Sequence, residues 1–250
     1  MIGIVYSDSD TASLNIKKFL PKKGKFCLIR TSNALTLECS GNYELLIFVS
    51  KHESSGGVKS LTCHTPGNYG KAEFGGKTSV LSYSNALIQS LCLKKLAELN
   101  KSRGWDFSVG FEATHHGPSL DVPCLFVELG SSGTEWNNRE YCSGIAGVVA
   151  ELVNKNGSIM KGNGRVCVGI GGSHYAPAFS KLAMEKGFNF GHICPKYTLN
   201  LLDKGSFRQM ISKTVPEPST VVIDKSVNSK KRKEVIKWCG ELGLSAEALK

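Results

Sequence analysis

A carboxylate, a hydroxyl and two adjacent imidazoles stand together in Glu112-Ala113-Thr114-His115-His116, directly before Gly117-Pro118. Histidine is the one side chain whose ordinary pKa lets it exchange protons near neutrality, and it is also the commonest metal ligand. Packing alone seldom asks for an acid, an alcohol and two histidines at the end of a strand; the bland alternative is a hydrogen-bonded turn. Two hydrolytic chemistries fit. A histidine can act as general base toward water, with Glu112 fixing its tautomer, or imidazoles and a carboxylate can hold a metal that activates the water. A covalent route through Ser50 or Thr114 has little behind it, because neither sits in a Gly-x-Ser-x-Gly elbow.

The catalytic candidates are therefore His115, His116, Glu112, Thr114 and His52. No His-Glu-x-x-His or Cys₂His₂ spacing exists, so a metal site must be assembled from distant segments. Three imidazoles with a carboxylate such as Glu112 or Glu128 form a ligand set suited to zinc. His52, His64, His115, His174 and Glu128 are the candidate ligands. All six histidines (these four, His116 and His192) lie at or just past the end of a predicted strand, with Gly or Pro close by. Ligands of open α/β sheets bind at the carboxyl ends of the strands, so at least three of these histidines are expected to share one pocket there.

Strands alternating with helices must position these groups. The first strand is read at Ile2–Tyr6, followed by a short helix capped by Ser7-Asp8-Ser9-Asp10 and stopped by Pro21. Phe26–Arg30 and Leu35–Cys39 resemble a hairpin. Glu44–Ser50 is a continuous apolar run, as expected of a strand buried on both faces, and leads into a polar loop over 51–57. Further strands are expected at Ser60–His64, Phe107–Ala113, Cys124–Leu129, Arg165–Ile170, Phe190–Cys194 and Thr220–Ile223. Apolar periodicity and caps place helices from Ser84 or Asn85 to about Lys101, and over Tyr141–Lys155, Pro177–Lys186, Phe207–Lys213 and Lys230–Leu242. The segment from Tyr69 to Thr78 reads as a surface loop. The pattern is an α/β fold with a mixed, partly parallel central sheet flanked by helices, in one domain over 1–250.

A net charge of +10 favours a polyanionic partner, nucleic acid before an acidic membrane surface. Nine scattered cysteines without a paired spacing read as reduced thiols of a cytosolic protein. No apolar run approaches the ~20 residues that span a bilayer. The turn Gly169-Ile170-Gly171-Gly172 lacks the third glycine of a dinucleotide fingerprint, since His174 stands there; it suits close approach of a substrate backbone or phosphate. Trp136, Tyr175 and Tyr197 are candidates to stack on a base. Lys51, Lys71, Arg139 and Lys196 are candidate phosphate contacts, whereas Lys230-Lys231-Arg232-Lys233 reads as a solvated helix face.

Several segments together resemble the archaeal and plant type of D-aminoacyl-tRNA deacylase. They are Ser50-Lys51-His52 with Ser54, Leu61-Thr62-Cys63-His64-Thr65-Pro66-Gly67-Asn68, and Glu112 to Pro118. The match continues through Phe126-Val127-Glu128-Leu129-Gly130-Ser131, Glu135-Trp136, Gly169 to Pro177 and Lys196-Tyr197. The resemblance runs to about residue 200. It implies hydrolysis of the ester between a D-amino acid and the 3′ end of tRNA, zinc dependence, and a cytoplasmic monomer without an obligate protein partner. It also implies a fold related to phosphorylases and peptidyl-tRNA hydrolase. Lys51, Gly171, Gly172, His174, Tyr175, Lys196 and Tyr197 then become the substrate-binding candidates. Backbone N–H groups of the Gly171-Gly172 turn are expected to face the oxyanion. Against this stand a zinc-dependent small-molecule hydrolase or phosphorylase-like enzyme, and a non-catalytic RNA-binding module.

Overall fold

In a computed structural model, residues 1–39, 41–54, 56–159 and 164–249 are described. In chain order the elements are β1 (Ile2–Ser7), α1 (Thr11–Lys17), β2 (Phe26–Thr31), β3 (Leu45–Glu53), β4 (Ser60–His64) and β5 (Ser84–Asn85). They continue with α2 (Ala86–Ser102), β6 (Ser108–Phe111), β7 (Cys124–Ser131), α3 (Gly133–Trp136), α4 (Arg139–Ile159), β8 (Arg165–Ile170) and α5 (Pro177–Lys186). The last are β9 (Phe188–Cys194), α6 (Lys204–Ser212), β10 (Thr214–Val215), β11 (Thr220–Ile223), α7 (Ser229–Glu241) and β12 (Ser245–Ala248).

Six strands form one sheet in the order β2-β1-β3-β7-β4-β6, and four form a second in the order β12-β11-β8-β9. β4 runs antiparallel to β7, while the neighbouring β3–β7 and β4–β6 pairs are parallel. The sheet is mixed at that one junction, and the site is built across it. Helices α1, α2 and α4 cover one face of the six-stranded sheet, where Leu45, Ile47, Val49, Leu61, Leu125, Val127 and Leu129 are buried. Fully burying a side chain of this kind is worth about 1.5–3 kcal/mol. The same core continues into the second sheet through Cys167, Phe190 and Ile193.

Local chemistry explains most boundaries. Asp10 accepts from the Ser13 amide and starts α1; Asn85 does the same for α2 through Ile88. Pro177 stands in the first turn of α5, and Gly187 ends it in the left-handed region. All nine cysteines are free thiols.

Four readings differ from expectation. Phe26–Thr31 is no hairpin arm: α1 returns the chain to its starting edge, so β2 pairs parallel with β1. Leu35 lies in a 3₁₀ turn, Ala34–Thr36, rather than in a strand. β3 runs on through Lys51 and His52 to Glu53, because it stays paired with β7 to Ser131; Ser55 of the expected 51–57 loop lies outside the described residues. β6 stops at Phe111: beyond it the Ala113 amide bonds the His174 carbonyl and the Thr114 amide bonds that of Ile193. His115 and His116 therefore sit on a loop, free of strand alternation. β12, with its weak strand composition, exists through pairing with β11.

Candidate active site

The register across the antiparallel junction sets the site. Glu128 of β7 faces Ser50 of β3 and Thr62 of β4; Gly130 faces His52 and Ser60; Phe126 faces His64. Side chains two apart on a strand share a face, so His52, Ser50, Glu128, Thr62 and His64 form a polar row on the face away from α1, α2 and α4. Phe48 and Phe126 continue the row on the same face and stack at 4.5 Å, and His64 stacks on Phe126 at 5.2 Å. The histidines thus meet over a sheet face. As expected, more than three of them share one pocket: His52, His115, His116 and His174 line a single groove. They do not all come from one carboxyl edge, because β4 runs against β7 and puts His64 and His52 at opposite ends of the row.

Two glycines make this approach possible. A Cβ on Gly130 would lie 2.7 Å from Ser60 Oγ and 2.9 Å from the His52 Cβ, so glycine is what lets His52 settle onto β7. A Cβ on Gly117 would lie 2.3 Å from the Gly76 nitrogen, where the 74–77 loop crosses the histidine loop.

Glu112, 1% exposed, is the hub. Its Oε1 lies 3.0 Å from His52 Nδ1, and its Oε2 lies 2.9 Å from His174 Nε2 and 3.6 Å from His115 Nε2. Glu128 Oε2 lies 3.4 Å from His52 Nδ1. From His52 a relay runs outward: Nε2 lies 3.1 Å from the Tyr175 hydroxyl, which donates to Ser54 Oγ at 3.2 Å. His174 Nδ1 lies 3.1 Å from the Tyr197 hydroxyl.

Charge divides sharply across these groups. Burial works against an ionised Glu112, but His174 and His52 outweigh it and hold the carboxylate well below its usual range. Burial also works against a charged His52, and Glu112 with Glu128 carries it up to about 11. Glu128, buried beside the Glu112 charge, is pushed up to about 8. Burial and its neighbour His116 push His115 down to about 3; burial pushes His116 down to about 4 and His64 well below its usual value. His115 and His116 are neutral bases with fixed tautomers. The Ala113 carbonyl can only accept, so His115 donates to it from Nδ1 at 2.8 Å, and Nε2 is left as a lone pair. His116 donates likewise to the Gly117 carbonyl.

Among the described residues, three donor groups have the composition and closeness to hold a cation, with ligand atoms within 4.8 Å of one another: Glu112-His115-His174, His64-His115-His116 and His52-Glu112-Glu128. His64 Nδ1 is buried without a hydrogen-bond partner among the described residues. Neutral imidazole nitrogens beside a carboxylate are the donors that zinc takes.

A groove of about 570 Å³ opens over the array and is lined by His52, His115, His116, His174, Glu112 and Glu128. Other sequence candidates stand elsewhere. Thr114 is buried and spanned by His192 Nδ1 at 3.2 Å and the Ile193 amide at 3.1 Å. His192 is fully buried behind it. Lys51 lines the groove, and its ammonium bonds Glu53 at 2.8 Å and lies over the Trp136 ring. Gly172, Lys196 and Tyr197 line a neighbouring cavity at the start of α5. The Gly171 and Gly172 amides donate to the Cys194 carbonyl and Ser226 Oγ, so neither is aimed at the Glu112 array. Lys71 borders a shallow cavity beside His115 and His116; Arg139 stacks over Phe19 beside α1. On the basic final helix, Lys231 and Arg232 are turned to the carbonyls of Leu202 and Val227.

Sequence reasoning missed Asp10 and Phe74. Asp10, read only as a cap, also accepts from the Ser50 hydroxyl and the Lys51 amide and so ties α1 to the floor of the groove. Phe74, 68% exposed, lines the groove from the glycine- and lysine-rich loop. An aromatic in a loop without apolar periodicity was the available signal.

The α/β scaffold thus carries a buried histidine–carboxylate array over one face of its larger sheet. A profile of the D-aminoacyl-tRNA deacylase family matches residues 39–247, and the chain belongs to that family. It is 38% identical over 203 residues to a D-aminoacyl-tRNA deacylase of Pyrococcus furiosus, covering 80% of this chain and 72% of that one. A Thermoplasma acidophilum protein of the same name is 32% identical over 260 residues, covering 96% and 97%. The crystal structure of a conserved protein of unknown function superposes with a TM-score of 0.88 at 29% identity, covering 99% of this chain and 95% of that one. No helix among the described residues is long and apolar enough to cross a membrane.

Proposed function

We propose that the Glu112 array is the catalytic centre at which this chain performs its family's reaction, hydrolysis of the ester joining a D-amino acid to the 3′ end of tRNA. The observation that carries this reading is one buried carboxylate in contact with three histidines: His174 at 2.9 Å, His52 at 3.0 Å and His115 at 3.6 Å. Water is the nucleophile. His115 Nε2, a lone pair facing the groove, takes a water proton as the oxygen attacks the ester carbonyl. Glu112 holds His52 and His174 in place, and the positive charge of His52 favours the negative charge that develops on the carbonyl oxygen. The bond to the ribose 3′ oxygen breaks, that oxygen takes up the proton, and free D-amino acid and tRNA leave. His116 backs His115 as a second neutral imidazole.

The donor set fits zinc. Glu112, His115 and His174 would hold it, or His64 with His115 and His116. With zinc held there, His115 Nε2 would be a ligand instead of the base, and the ion would supply the Lewis acidity that favours ionisation of water near neutral pH in its place. The exposed Phe74 ring offers a stacking surface for the terminal base, and Lys71 and Lys196 offer charge to nearby phosphates. A hydrophobic core shared by both sheets supports one domain, and nine free thiols suit a reducing, cytoplasmic compartment; the chain is proposed to act there as a monomer.

The test is hydrolysis of matched D- and L-tyrosyl-tRNA, with and without a chelator and with zinc added back. D-selective release that zinc restores is the expected result. Release of neither ester overturns the assignment; D-selective release by a His115→Ala variant at the unaltered rate removes His115 from the mechanism.

A further inference from the structure

The four-stranded sheet has a binding crevice of its own. Its strands are parallel in the order β12-β11-β8-β9. From β8 the chain crosses through α5 to β9 on one side, whereas β11 lies on the other side and leads through α7 to β12. The two directions part between the carboxyl ends of β8 and β11, and parallel sheets bind ligands at such a switch point. A cavity of about 630 Å³ lies there, lined by the turns that follow β8 and β11 and by the first turn of α5. Gly171, at φ +97°, lets the two turns touch: a Cβ on it would lie 2.6 Å from Val227 Cγ2 and 2.9 Å from the Asp224 Cβ.

Asp224 marks this space as a ligand site. It lines the cavity and is 8% exposed. Its Oδ1 accepts from the Ser226 amide at 2.8 Å, while Oδ2 has no hydrogen-bond partner among the described residues. Oδ2 keeps some accessible surface, so a ligand can reach it. A carboxylate oxygen held this deep without a partner is unfavourable, and a donor on a ligand satisfies it. Pro177 and Tyr197, both exposed, offer apolar faces to a ring beside it, and Lys196 and Lys225 are exposed there too. The cavity also meets the catalytic groups. His174 lines both it and the groove, with Nε2 2.9 Å from Glu112 Oε2 and Nδ1 3.1 Å from the Tyr197 hydroxyl.

We infer that this cavity holds the nucleoside that precedes the terminal adenosine of the tRNA, a cytidine, and that Asp224 reads its amino group. The inference rests on the deacylase reading. The esterified ribose must lie at the Glu112 array, and Phe74 offers the terminal base its stacking surface in the groove. The preceding nucleoside is one phosphate linkage away, and the cavity meets the groove at His174. Cytosine presents an amino donor at N4 where uracil presents an acceptor; a carboxylate accepts from the first and repels the second. Lys196 and Lys225 offer charge to the linking phosphate.

The test uses D-tyrosyl esters of adenosine, cytidylyl-adenosine and uridylyl-adenosine, with D-tyrosyl-tRNA alongside. kcat/KM should be at least ~10-fold higher for the cytidylyl-adenosine ester than for either of the other two small esters, the scale of a base-edge match. In Asp224→Asn the side-chain oxygen keeps the Ser226 amide, and the new amide nitrogen replaces Oδ2 with a donor that suits uracil. The preference between the two dinucleotide esters should then reverse, which a merely structural role for Asp224 would not produce. Ala178→Trp, in the first turn of α5, fills the cavity and should bring the cytidylyl-adenosine ester down to the level of the adenosine ester, whose own rate stays unchanged. Circular dichroism confirms that both variants fold. Equal rates for the two dinucleotide esters in the unaltered chain overturn the inference, and so does a cytidine preference that survives Asp224→Asn. Loss of the adenosine ester in Ala178→Trp would put the terminal base or the amino acid in the cavity, and it overturns the inference too. If the unaltered chain hydrolyses neither D-tyrosyl-tRNA nor any small ester, the deacylase reading itself fails, and the two failures are thereby told apart.

Discussion

The two faces of the six-stranded sheet are made by the same strands and could hardly differ more. On one, Leu45, Ile47 and Val49 of β3 and Leu125, Val127 and Leu129 of β7 pack against helices. On the other, the intervening residues pass from Phe48 and Phe126 to Ser50, Glu128 and His52. Nothing in β3 alone marks the difference, because its apolar half is buried on both sides. The helix face is built by area removed from water, which tolerates change roughly in proportion to the volume lost. The other face is built by a few charge-coupled contacts, each of which fails as a unit.

That contrast can be broken or sharpened by substitution. Glu112→Gln keeps the shape of the hub and removes the charge that holds His52 and His174; kcat/KM for D-tyrosyl-tRNA should fall by about a thousandfold, within the range seen when positioned acid–base groups are lost, with the circular dichroism spectrum unchanged. Prolonged chelation should lower activity strongly and also lower the melting temperature, because a cation bound only by the folded state adds to its stability. Zinc should restore both, and a chelated enzyme with full activity would leave the neutral imidazoles to act alone.

Gly130→Ala is the subtler intrusion on the same face. The new methyl meets Ser60 and His52, so His52 must tilt away from Glu112 and Glu128. Activity should drop about a hundredfold, as misplacement by an ångström does, for a stability cost of about 1–3 kcal/mol. One residue earlier on β7 the opposite is expected. Leu129→Ala opens a cavity in the helix-packed core and should cost about 2–5 kcal/mol in denaturant unfolding, while kcat/KM per folded molecule stays that of the parent. Equal damage to activity from Leu129→Ala and Gly130→Ala would mean that the two faces are not separable.

Local signals in the sequence determined most of the elements. Arg165–Ile170, Pro177–Lys186 and Thr220–Ile223 fall where their β-branched runs, caps and glycines place them, because those preferences are settled within a few residues. The family and the chemical character of the 112–116 loop were legible for the same reason: residue types and short spacings carry them. Tertiary structure alone decided where the histidines meet. The antiparallel run of β4 against β7, the end of β6 at Phe111 and the parallel return of β2 arise from pairings between segments far apart in the chain, which no local pattern encodes. Those pairings made Glu112 the hub, turned the Gly171 and Gly172 amides to partners within the protein, and set Phe74 and Asp10 beside the groove. Charge followed position. Each histidine begins with the same intrinsic pKa, and burial, Glu112 and the neighbouring rings then separate a cationic His52 from a neutral His115.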